Sequence, residues 1–273
     1  MTLQECITRL EALAPLSLAE SWDNVGLLLG DRSQPVGRIM TCLTLTPDVA
    51  REAIHSQADL VITHHPILFR AVQRLTDDTI EGGMIMELVR AHISVYSPHT
   101  AYDSATAGSN QQIAEGLELQ GIQPLRPVLP PVQSTRPAVT ATSIGAGRHG
   151  RLKTAQPLCE LVHTVAQLLK APGVQYVGDG DRAVSHIAIA CGAAAEFLTD
   201  AVELGCDALL TGEARFHSAL EARHAEVALI LPGHYATERP AVETLADRLR
   251  REWSGTEVWA SRDERDPLTW TLL

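Results

Sequence analysis

A chain of 273 residues, 45% hydrophobic and 20% charged, has the composition of a globular protein with material for one large domain or two modest ones. Its formal net charge of -11 disfavours non-specific binding to nucleic acid or an anionic membrane, although local metal ions can still recruit an anionic small molecule. No run of 18 apolar residues is present, so no membrane span is expected.

Met1 to Leu13 places Leu3, Ile7, Leu10 and Leu13 on one helical face, which reads as an amphipathic helix and not a signal peptide. A cytoplasmic location is expected. Cys6, Cys42, Cys159, Cys191 and Cys206 are odd in number, widely spaced and free of any CxxC pattern, as buried thiols in a reducing compartment would be. Asp23-Asn24 before Val25-Gly26 reads as a turn leading into a short apolar strand closed by Gly30-Asp31, with a functional part for Asp23 or Asn24 as the second reading. Arg38 to Thr46 is strand-like, Pro47 to Gln57 is helical with proline at its start, and Leu60 to Ile62 is an apolar run suited to a strand buried on both faces. Together they predict a β-α-β unit with parallel strands.

His64 and His65 stand at the C-terminal end of that last strand, the edge where open α/β sheets bind ligands, and Pro66 stops the ladder behind them. Adjacent residues of a regular strand point to opposite faces, so the two imidazoles are expected to serve a pair of ions, roughly 3.5 to 4 Å apart with a carboxylate between them. The bland alternative is a chance pair in a surface turn.

Gly82 to Ala91 is read as a helix, and Ile93 to Tyr96 as a strand that empties into Ser97 to Asp103. Gln123 to Pro137 is a proline-rich irregular connector, followed by strand character over Ala138 to Ile144. Gly145 to Gly150 reads as a hairpin turn in preference to a phosphate cradle, since no Walker or dinucleotide spacing is met. Pro157 to Lys170 is an amphipathic helix. A shift of 148 residues then lays Ile39 to Thr63 on Ile187 to Thr211 without a gap, strand on strand and helix on helix, which predicts two similar α/β halves related by an internal repeat. Where the first half has His64-His65, the second has Gly212-Glu213. Val227 to Leu231 is a strand, His234 and Glu238 straddle a strand-to-helix junction with Pro240 in the first helical turn, and Gly255 to Trp259 is a terminal strand. The expected division is 1–122, the connector 123–137, and 138–273.

Three strand ends thus carry His64 and His65, Asp103, and His234 with Glu238, a donor set that suits Zn, Mn, Fe, Co or Ni without selecting one. Trp22-Asp23-Asn24-Val25-Gly26-Leu27, Thr63-His64-His65-Pro66-Ile67-Leu68-Phe69, His99-Thr100-Ala101-Tyr102-Asp103, Thr211-Gly212-Glu213 and Gly233-His234-Tyr235-Ala236-Thr237-Glu238 resemble, in this order, the GTP cyclohydrolase I type 2 homologue family, also called Nif-three-like dinuclear metal centre proteins. The resemblance implies two similar α/β halves with a dinuclear metal site between them, and a ring-shaped homohexamer. It implies that His64, His65, Asp103, His234 and Glu238 hold two divalent ions per subunit, with Asp103 as the bridge. Ala101-Tyr102 and Ala107-Gly108 depart from the family's commoner residues and touch none of these five.

His99, Glu213 and His217 are second-tier candidates for orienting a ligand or meeting a substrate, and Glu213 is the foremost candidate for a general acid or base. His55, His92, His163, His186 and His224 are assigned structural roles. The expected function is metal-dependent hydrolysis of a nucleotide-like substrate, with Arg148 or Arg239 meeting anionic groups. The alternative is a non-catalytic metal protein that acts through a protein partner.

Overall fold

The computed structural model describes residues 1–128 and 144–271. In chain order its elements are α1 (Leu3–Leu13), β1 (Gly26–Leu29), β2 (Arg38–Cys42), α2 (Pro47–His55), β3 (Leu60–Thr63), α3 (Ile80–Arg90), β4 (Ser94–Ser97) and α4 (His99–Ser104). There follow α5 (Ser109–Gly116), β5 (Gln120–Gln123), β6 (Arg126–Pro127), β7 (Gly145–Ala146), β8 (Arg148–Pro157), α6 (Leu158–Leu169), β9 (Gln175–Val177) and β10 (Ala183–Ala190). The last are α7 (Leu198–Glu203), β11 (Ala208–Thr211), α8 (Phe216–His224), β12 (Ala228–Leu231), α9 (His234–Glu252) and β13 (Glu257–Ala260). All but the last residue of the strand expected over 138–144, and most of the proline-rich connector, fall outside the described residues.

Two compact units result, and their bounds differ from the expected division. The first comprises Met1–Tyr102 with Ala241–Pro267, the second Asp103–Pro240 with Leu268–Leu273. The cause is a long-range pairing: β13 runs parallel to β2, with Val258 opposite Ile39, so the chain's last strand belongs to its first sheet.

The first unit is built on a five-stranded sheet of order β1-β4-β3-β2-β13, parallel except for β1. Central β3 is buried at every position, as its apolar run predicts. Met40, Cys42, Val61 and Val95 face Val49, Ala50 and Ala53 of α2 and Met84, Ile85 and Leu88 of α3. Each such aliphatic side chain, fully buried, contributes about 1.5–3 kcal/mol. The hydroxyl of Thr41, on the alternate face of β2, donates to the carbonyl of Val242 at 3.0 Å. α1 starts at a capping box: the Glu5 amide donates to Thr2 Oγ1 and the Thr2 amide to Glu5 Oε2 at 2.8 Å. That backbone bond holds the Glu5 carboxyl below its ordinary range. A carboxyl lowered in the folded state stabilises it above the unfolded value of about 4.3 and ceases to do so as pH falls through the folded value. Amide exchange in the first turn of α1 should therefore be faster in Glu5→Ala than in the parent at neutral pH. The two rates should converge in acid, and a difference that persists there would refute the assignment.

The second unit carries a six-stranded sheet of order β5-β8-β10-β11-β12-β9, in which β10, β11 and β12 are parallel. Ile187, Ile189 and Leu210 pack on α5 and α6. Ala188, Ala190 and Leu209 pack on Phe197 with Leu198 and Ala201 of α7.

The internal repeat extends to hydrogen bonds. Ile39 lies opposite Leu60 and Ile187 opposite Ala208, the same register in each unit. Asp59 Oδ2 accepts from the amides of Gly37 and Arg38, both at 2.8 Å, and Asp207 Oδ2 accepts from those of Ser185 and His186, both at 2.8 Å. The phase ends after β3 and β11: Leu60 pairs with Ser94, whereas Ala208 pairs with Ala228. The first unit has a longer excursion there, and it carries the paired histidines.

Candidate metal centre

β3 ends at Thr63, and the amides of His64 and His65 donate to the Cys42 and Leu43 carbonyls at 2.9 and 2.8 Å. Their rings are 5.3 Å apart, and each is close to His99, at 5.2 and 5.6 Å. One nitrogen from each of the three lies within 4.8 Å of the others. The two rings nevertheless lie near one another, at a spacing that a pair of ions can share.

Neighbouring groups set the orientation of each ring. Ser97 Oγ donates to the His64 carbonyl at 2.7 Å, and Thr44 Oγ1 lies 2.8 Å from His65 Nδ1. His99 Nδ1 is 2.8 Å from Asp23 Oδ1, while the Thr100 hydroxyl donates to the other Asp23 oxygen. Burial opposes ionisation of Asp23, but the hydrogen bonds from His99 and Thr100 outweigh it and hold the carboxyl below its usual range. An ionised Asp23 can only accept, so His99 Nδ1 carries a proton and Nε2 is turned away from Asp23. Asp23 thus joins the turn at Asn24 to His99 and Thr100. A cleft of about 300 Å³ adjoins His65, lined by Thr44, Pro47, Pro66, Ile80 and Met84.

The second unit gathers Asp103, His234 and Glu238. α9 begins at His234, so Pro240 lies in its second turn and not its first, and the HxxxE spacing becomes a helical i, i+4 pair. His234 Nε2 is 2.9 Å from Glu238 Oε2, and Nδ1 is 2.9 Å from Glu213 Oε1. The hydrogen bond to Glu238 raises the imidazole most; against the opposing effect of burial, and with the Glu238 charge and the Glu213 contact, it is pushed up to about 9. An oxygen of Asp103 lies within 4.8 Å of one of Glu238. The Cys191 thiol donates to Asp103 Oδ1 at 3.4 Å, and burial with the carboxylates of Asp103 and Glu238 pushes that thiol well up. Asn110 ties the two together, donating to the Asp103 carbonyl at 3.2 Å and accepting from the Cys191 amide at 2.8 Å.

Gly192 explains how Glu238 fits. A Cβ there would lie 2.2 Å from Glu238 Oε1 and 3.4 Å from His234 Nε2, and its φ of +71° suits glycine. Imidazoles, carboxylates and a cradle that only glycine leaves open form a donor set that fits a divalent transition metal.

Other expectations fare differently. Glu213 orients His234, as a second-tier role requires, while His217 begins α8 beside Phe216 and belongs to no ligand group among the described residues. Arg148 is no anion receptor: it is fully buried, and its guanidinium donates to four backbone carbonyls and Gln111. Arg239 is also buried, with 8% exposure. The sequence shows Cys191-Gly192 as a turn that belongs to the family resemblance, but the parts of Cys191, Gly192 and Asn110 beside Asp103 and Glu238 follow only from contacts.

A Clostridium acetobutylicum protein described as a GTP cyclohydrolase 1 type 2 homolog is 33% identical over 264 residues, 94% of each chain. One of the same description from Clostridium perfringens is 30% identical over 269 residues, 98% of each chain. The crystal structure of a Staphylococcus aureus hypothetical protein superposes with a TM-score of 0.87 at 28% identity over 99% of each chain. The family model for Duf34/NIF3 (NGG1p interacting factor 3) matches residues 1–267, from the capping box of α1 past β13, and the chain belongs to that family.

Proposed function

We propose that this protein binds two divalent transition-metal ions through His64, His65, Asp103, His234 and Glu238, and hydrolyses a nucleotide-like substrate. The observation that carries the reading is the pair of ligand sets, His64 with His65 after β3, and Asp103 with His234 and Glu238 in the second unit, each steered by polar neighbours. When bound, two such ions lower the pKa of a water and neutralise charge developing on a substrate oxygen. The chain's part is to hold the donors: Thr44 at His65, Cys191 at Asp103, and Glu213 at His234. Glu213, largely exposed, is our candidate to accept or return a proton. The cleft beside His65 has the size and apolar lining to receive a small ring. We extend the proposal to a cytoplasmic homohexamer. Among the described residues no helix is long and apolar enough to cross a membrane.

The relatives' description as GTP cyclohydrolase homologs supports a guanine nucleotide as the first substrate to try. Elemental mass spectrometry of untagged protein purified without chelators should find two transition-metal ions per chain, and native mass spectrometry six chains per particle. Turnover of nucleotides by that sample should vanish on chelation and return with metal. Two ions with no turnover would favour the second reading, a metal protein acting through a partner. The exposed aromatic pair Trp22 and Phe69, 6.0 Å apart, speaks for it as a docking surface. No ions after reconstitution would overturn both.

A further inference from the structure

The second unit holds another group of ligand-type side chains, outside the set above. On paired strands, His149 of β8 lies opposite Ala188, and His186 of β10 opposite Arg151. His149 and His186 are therefore diagonal neighbours on one face of the sheet. Cys206, just ahead of β11, packs on that face with Ala188 and Leu209. His149 Nδ1 is 2.9 Å from His186 Nε2, and Cys206 Sγ is 3.6 Å from the same nitrogen. One donor atom from each of the three residues lies within 4.8 Å of the others.

Two further features fit a metal. His186 Nδ1 lies 3.1 Å from the Gly205 carbonyl, a bond that needs the proton on Nδ1 and turns the lone pair of Nε2 towards the cluster. Metal–nitrogen bonds of about 2.0–2.1 Å and metal–sulfur bonds of about 2.3 Å put tetrahedral donor atoms roughly 3.3 to 3.6 Å apart. Sulfur and His186 already stand at that separation, and the two nitrogens need part only by a few tenths of an ångström.

We propose that His149, His186 and Cys206 form a second, mononuclear site for a thiophilic transition-metal ion of the zinc class. Two imidazoles and a thiolate supply three bonds, and half-buried His149 leaves one side accessible for the ion and a water. Burial pushes the Cys206 thiol up to about 12, so it keeps its proton until a metal displaces it to solvent. A histidine pair that merely fills the core would need no sulfur aimed at the same nitrogen.

Cobalt(II) titrated into full-length protein stripped of metal tests the site, because thiolate-to-cobalt charge transfer in the near ultraviolet arises only with a cysteine ligand. The band should appear in the parent and in the His65→Ala, Asp103→Ala double variant, which disables the other centre. It should persist in Cys191→Ser and be lost in Cys206→Ser and in His149→Ala. The last variant alters a half-buried residue and serves if Cys206→Ser fails to fold. No band in the parent at cobalt saturation, or a band lost in Cys191→Ser and kept in Cys206→Ser, would overturn the proposal.

Discussion

Replacing His65 and Asp103 together by alanine should strip the protein of its divalent ions and leave the chain folded. The pair removes one imidazole from the first unit's proposed set and the Asp103 carboxylate from the second unit's. Neither residue belongs to the apolar clusters of the sheets. Among the contacts removed, Thr44 loses the ring beside its hydroxyl and Cys191 the oxygen its thiol donates to, at about 1 kcal/mol each. Elemental mass spectrometry should find the ions gone while circular dichroism matches the parent. Metal content equal to that of the parent would sink the ligand assignment.

Arg148→Met should have the largest effect on stability, about 3–5 kcal/mol, because it removes a buried charge and leaves its acceptors without a donor. Nη1 donates to the carbonyls of Gly145 and Gly147 at 2.7 and 2.6 Å, Nη2 to those of Ser104 and Ala105 at 3.3 and 2.7 Å, and Nε to Gln111 at 2.8 Å. Burial lowers the guanidinium to about 10, which still leaves it charged at neutral pH. A single side chain thus fastens the end of α4, α5 and the start of β8. The denaturant midpoint should fall, with Arg148→Lys intermediate because lysine keeps the charge but not the fork of donors. An unchanged midpoint in Arg148→Met would show that these bonds are not what holds the region.

Much of this was legible in the residues. β3 stands out as an unbroken apolar run because it is covered on both faces, and α1, α2 and α6 because their buried residues recur at helical spacing. The repeat could be found because both units keep a helix of similar length between the same two strands. β8 was missed, since Arg148 to Pro157 alternates weakly and presents many polar side chains to solvent. Read without its partners, its glycine-rich start looked like a turn. The start of α9 was misplaced because Pro240 offered a stronger local signal than Gly233-His234. The return of 241–267 to the first unit had no local signal at all, being a pairing between residues more than two hundred positions apart. Candidate ligands were found by residue type and order, whereas their supports, Thr44, Cys191 and Gly192, belong to three-dimensional contact.

That return sets an order for biosynthesis. While the ribosome is still translating the middle of the chain, β2 has β3 on one side only, and the Thr41 hydroxyl still lacks the carbonyl it will donate to. The second unit is mostly continuous in sequence, whereas the first unit's opening segment must wait for 241–267. A nascent chain stalled before β13 would expose β2 as an unpaired edge, a template for the wrong strand. The first unit's sheet therefore stays open along β2 until β13 has emerged.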